Sequence, residues 1–140
     1  MRRYLKAIVI ANASIAAALL ALAGGSPATT EASVVQGTHN GHAVFYSPGV
    51  FKIVARNRGM TLREDVDGYA AVIDCSLIGR VIKARLNGGR VETFQVLDCS
   101  APRDRARHKR IGLVIEVDYQ SAVRNRFAHK GRAPAQVYYP

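Results

Sequence analysis

The sequence predicts a small, mainly β domain in which five or six short strands close into a barrel and two single helices fill connections. Three observations predict it. From Gly41 to Tyr139 short apolar runs alternate with turn signals; Asn87-Gly88-Gly89 separates two such runs as a hairpin turn would; and only two stretches look helical. The 140 residues suit a single domain, and 49% hydrophobic with 21% charged residues excludes a wholly disordered chain. Two cysteines exclude both a zinc cluster built from thiolates alone and a multi-disulfide scaffold.

The first 23 residues read as a signal peptide. Arg2, Arg3 and Lys6 precede an apolar run from Ala7 to Ala23, and Ala21-Leu22-Ala23 places small residues where a signal peptidase reads. The run spans about 17 residues and contains Asn12 and Ser14, which is short for a hydrocarbon core of about 30 Å. An uncleaved membrane anchor is the alternative. No cysteine lies near the run, so a lipid anchor is excluded. Cleavage removes three basic residues and no acid, taking the net charge from +10 to +7. Export argues against nucleic acid as a partner of this basic chain, and after cleavage no stable membrane association is expected.

Residues 24–40 are small and polar without sustained period, and read as a flexible linker before a domain at 41–140. His39 and His42 have no third ligand at a useful spacing, so no metal is expected. His42–Tyr46 is the first predicted strand. Ser47 then offers an N-cap oxygen, Pro48 suits the first helical position, and Gly59 can stop the helix. Between them Phe51, Val54 and Ala55 form its apolar stripe. Tyr69–Ile73 is a second strand. Val81–Leu86 and Val91–Leu97 flank the hairpin turn, with Ile82, Ala84 and Leu86 inward and Lys83 and Arg85 outward. Leu113–Val117 is a strand, Asp118 caps a short helix over Tyr119–Phe127, and Ala135–Tyr139 is the last strand. The basic run Arg103–Arg110 reads as a solvated loop.

These segments, in their order, carry a resemblance. Gly41-His-Ala-Val-Phe-Tyr46, Tyr69-Ala70-Ala71, Ile78-Gly79, Asn87-Gly88, Val96-Leu97-Asp98 and Val114-Ile115-Glu116-Val117-Asp118-Tyr119 together resemble the rare lipoprotein A-like double-psi β-barrels, a barrel shared by expansins and some endoglucanases. The resemblance covers residues 41–139 and implies a six-stranded double-psi barrel. The chain departs from the family at two motifs. Leu97-Asp98-Cys99-Ser100-Ala101-Pro102 stands where the family has Asn-Asp-Arg-Gly-Pro, and Val72-Ile73-Asp74-Cys75 replaces the histidine that follows the paired alanines.

The resemblance brings Cys75 and Cys99 beside two groove positions, and in an exported chain such a pair implies a disulfide. It makes Asp98, at the end of an apolar strand, the candidate acid/base, with Asp74 as a second carboxylate near the lost histidine. Glu116 matches an aspartate of the family's strand-to-helix junction and reads as structural. Tyr46, Tyr69 and Tyr119 are candidate sugar-facing rings, and Arg103, Arg105 and Arg107 are candidate contacts for an anionic polymer.

The expected function is that of an exported, monomeric barrel without cofactor, associated with anionic cell-wall glycan such as peptidoglycan or another polysaccharide. It binds or loosens that glycan, with residual lytic-transglycosylase-type activity through Asp98 as a finer expectation. The alternative is a non-catalytic, disulfide-stapled secreted domain that binds a protein partner.

Overall fold

Residues 37–140 are described by a computed structural model; the predicted signal peptide and residues 24–36 of the predicted linker lie outside the described residues. The strands are β1 (Gly37–Phe45), β2 (Gly68–Val72), β3 (Val81–Leu86), β4 (Val91–Cys99), β5 (Leu113–Val117) and β6 (Ala133–Tyr139). They close a barrel in the order β1-β5-β2-β4-β3-β6. The connections hold helices α1 (Val50–Asn57), α2 (Pro102–Arg110) and α3 (Tyr119–Arg124), with 3-10 turns at Cys75–Leu77 and Ala128–Lys130. No helix among the described residues is long and apolar enough to cross a membrane.

Alternation sets the inner face. Ile82, Ala84 and Leu86 of β3 are buried while Lys83 and Arg85 are exposed, as the period of two requires. Phe94 and Val96 of β4, Ile115 and Val117 of β5, and Ala70 and Val72 of β2 join them in the barrel interior. The β3–β4 hairpin turns through Asn87 and Gly88, both at positive φ (50° and 71°), so the Asn-Gly pair is placed as its chemistry predicts. Asp118 caps α3: one carboxylate oxygen accepts from Ser121 N at 2.9 Å and the other from Tyr69 N at 2.8 Å. A single side chain thus fixes both the helix start and the approach of β2.

Three expectations are corrected. The first strand begins at Gly37, inside the predicted linker, because Gly37 to Asn40 pair with Tyr139 to Gln136 and supply the partners of β6. Helix α1 starts later than Ser47-Pro48: Gly49, at φ 82°, occupies the N-cap. The basic run is a helix. Pro102 sits in its first turn with Asp104, while Arg107, His108, Lys109 and Arg110 fill the last turn, so both ends complement the helix dipole. It buries none of its residues, which is why it shows no apolar period.

A second, smaller cluster lies outside the barrel. Phe51 and Ala55 of α1 pack on Ala71 and Leu97, with Tyr46 and Tyr69 against its edge. The candidate site stands beside this cluster.

Candidate functional site

The parallel β2–β4 register slips once. Ala70 faces Val96 but Ala71 faces Asp98, so Leu97 is the extra residue of a bulge. Leu97 is buried under α1, and Asp98 is placed opposite Ala71 with its side chain partly open to solvent. Its Oδ1 accepts from Cys99 N at 2.9 Å and from the guanidinium of Arg58, the C-cap of α1. Arg103 and Arg105 do not reach Asp98: Arg103 pairs with Asp104, and Arg105 donates to Ser100 O and Cys75 Sγ.

On the other side of Ala71 stands Glu116 of β5, in antiparallel register. Two carboxylates therefore flank one alanine, each a strand away, which sets their backbones about 10 Å apart. Glu116 Oε2 accepts from the Tyr46 hydroxyl at 3.3 Å. Burial raises the Glu116 carboxyl above the ordinary range, and the charges of Asp98 and Asp104 push the same way, against the opposing effects of His108 and Tyr46. Burial, with Glu116 and Asp98 nearby, also raises the Tyr46 phenol, so Tyr46 stays a donor. His108 of α2 is anchored from Ser100 Oγ at 2.8 Å.

Aromatic rings continue from the carboxylates. Tyr46 meets Phe51 edge-on at 5.1 Å between centroids, and Phe51 meets Tyr69 at 6.5 Å. Phe51 is buried and supports two half-buried tyrosines. Tyr69 donates its hydroxyl to Arg63 O at 3.1 Å. A cavity of about 300 Å³ follows, lined by Phe51, Lys52, Tyr69 and Tyr119. Such a strip offers ring faces for apolar sugar faces and carboxyl oxygens for hydroxyls.

The sequence-predicted residues fall into two places. Asp98, Tyr46, Tyr69 and Tyr119 belong to this strip. Asp74 caps the 3-10 turn by accepting from Ser76 N at 2.9 Å and lines a different cavity, together with Arg105. Arg103 is largely exposed and pairs with its neighbour Asp104; Arg107 is exposed on α2. Cys75 and Cys99 form a disulfide, as the resemblance implied. The carboxyl that the structure sets beside Asp98 is Glu116, for which the sequence alone implies a structural role. Its signal was present: it is the one charged residue in the apolar strand Leu113–Val117.

Glu116 makes stability depend on pH. Its folded carboxyl holds a proton more tightly than the ordinary carboxyl of the unfolded chain. Its ionisation therefore costs nothing below the ordinary carboxylate range, and the full cost is present above the raised folded value. Urea unfolding across that interval should show stability falling as pH rises in the wild type and a flatter profile in Glu116→Gln. Superimposable profiles would mean that burial does not raise the Glu116 carboxyl.

No family model matches the chain, and no curated protein matches it. Among solved structures it is similar to the apo expansin of Clavibacter michiganensis, at 14% identity and a TM-score of 0.48. It is similar also to an aspartate-to-asparagine mutant of a Clavibacter michiganensis expansin in complex with cellohexaose, at 14% identity and a TM-score of 0.49. Each match covers 74% of this chain and 50% of the expansin, so the chain spans about half the length of those proteins.

Proposed function

We propose that this chain is an exported barrel that binds or loosens cell-wall polysaccharide along the strip running from Asp98 and Glu116 over Tyr46 to Tyr69 and Tyr119. The observation that carries the reading is the pair of carboxyl groups flanking Ala71 beside rings held up by Phe51. Sugars present hydroxyls at their edges and C–H groups on their faces, and this strip meets both. The parallel pairings of β1 with β5 and β2 with β4, crossing within one closed sheet, support reading the barrel as double-psi. The charge of +7 after cleavage favours an anionic wall polymer, and export rests on the order of charge, apolar run and small residues at the N-terminus.

A second reading has its own observation. Burial raises the Glu116 carboxyl above the ordinary range while Asp98 is held by a guanidinium, and two carboxyls in unlike surroundings are what acid/base cleavage of a glycosidic bond uses. Incubation with purified sacculi and with insoluble β-glucan, followed by separate assays of pelleted protein and soluble fragments, tests both. Binding alone predicts pelleting without fragments, lost in Tyr69→Ala and weakened in Asp98→Asn. Fragment release that falls about 10²–10⁴-fold in Asp98→Asn would establish the cleavage reading instead. Protein left in the supernatant with every polymer would contradict both.

A further inference from the structure

A larger cavity, of about 540 Å³, opens beside α2. Its walls include His39 from β1, Asp74 after β2, Arg105 and Lys109 from α2, Val114 from β5 and Tyr139 from β6. Helix α2 divides the two places by its period. Asp104 and His108, one turn apart, act on Glu116, whereas Arg105 and Lys109, also one turn apart, line the cavity. Val114 and Glu116 are two residues apart on β5, on one side of the strand. The cavity and the carboxylate strip therefore share a wall.

The charge inside the cavity is unbalanced. Among the described residues neither Arg105 nor Lys109 forms an ion pair. Arg105 is half-buried and pinned, donating from Nε to Ser100 O at 3.2 Å and from Nη2 to the disulfide sulfur of Cys75 at 2.8 Å. A guanidinium has five N–H donors, so others remain for a carboxylate, and its orientation is already fixed. Asp74 uses one oxygen on Ser76 N and keeps acceptor capacity for a hydroxyl. His39 and Tyr139 stand edge-to-face at 4.9 Å and give an aromatic flank.

We propose that this cavity binds the carboxylate of an acidic sugar unit belonging to the same glycan whose other units lie over Tyr46 and Tyr69. This inference rests on the glycan-binding reading above. It narrows the role of the basic run from a diffuse positive surface to Arg105 and Lys109, with Arg103 and Arg107 outside the contact.

The test uses a soluble polyuronate and the same polymer with its carboxyls methyl-esterified, titrated by calorimetry into the chain. Wild type should bind the free acid about ten- to a hundredfold more tightly than the ester, the range expected for hydrogen bonds to a charged group. In Arg105→Gln/Lys109→Gln that ratio should fall to near one while ester affinity holds. Lys109→Gln alone should lower the ratio without touching the packing of Arg105 on the disulfide. Lys83→Gln/Arg85→Gln removes the same charge from β3 and should keep the ratio. An equal collapse in Arg103→Gln/Arg107→Gln, or no preference in wild type, would overturn the proposal in favour of diffuse attraction or none. Absence of ester binding with a retained, Arg105-dependent preference for the acid would instead count against the aromatic strip and leave the cavity standing.

Discussion

Glu92→Ala should unfold the barrel at far lower temperature than the wild type. Glu92 is 2% exposed, yet it carries a carboxylate on β4. It survives burial because Arg124 donates to both of its oxygens, at 3.0 and 3.2 Å, and Asn125 donates at 3.0 Å, while Arg90 approaches at 3.7 Å. Removing the acid takes away the acceptor that Arg124 and Asn125 share on β4, leaving Arg124 only Asp67 O and Ser121 Oγ, and Asn125 only Ser121 O. Breaking a buried pair costs about 3–5 kcal/mol, and the partial exposure of Arg124 places this one at the lower end. At about 4 °C or more per kcal/mol for a domain of this size, the midpoint should drop by roughly 12 °C. Thermal unfolding followed by circular dichroism checks it. A drop under about 2 °C would mean that water replaces the network without cost.

The second large effect is the loss of the Cys75–Cys99 bridge. It joins residues 24 apart in sequence, tying the segment after β2 to the end of β4. Closing a loop of that length stabilises the folded state by about 3–4 kcal/mol in the chain-entropy model. Cys75→Ala/Cys99→Ala should therefore unfold at clearly lower urea concentration than the oxidised protein. The bridge also borders both sites, since Asp98 precedes Cys99 and Arg105 donates to Cys75, so glycan binding should weaken along with stability. Non-reducing peptide mapping should recover the linked pair. Two freely alkylated thiols in protein from an oxidising compartment, or equal urea midpoints, would contradict this.

Local chemistry made much of the fold legible. The Asn87-Gly88 turn, the alternation through Ile82, Ala84 and Leu86, and the Asp118 cap each depend on residues close in sequence, and each is found where its pattern puts it. Helix α2 escaped because its signals are a proline and a charge gradient, with no buried stripe to mark a period. The start of β1 escaped because it depends on β6, at the opposite end of the domain.

The site was legible only in halves. Asp98 could be singled out as an acid at the end of an apolar strand. Its proximity to Glu116 depends on three strands meeting in the order β5-β2-β4 and on one bulge at Leu97. Neither leaves a mark in a single strand's pattern. Tyr46 shows the same limit, because its bond to Glu116 spans 70 residues.

The most direct test of the central claim is a titration of the ¹⁵N-labelled chain with a soluble β-linked oligosaccharide, read as amide shift changes residue by residue. The changes should concentrate at Tyr46, Phe51, Tyr69, Asp98, Glu116 and Tyr119, and Tyr69→Ala should remove them while leaving the rest of the spectrum in place. Changes confined to the β3–β6 side, around Lys83, Arg85 and Gln136, or none at saturating sugar, would contradict it.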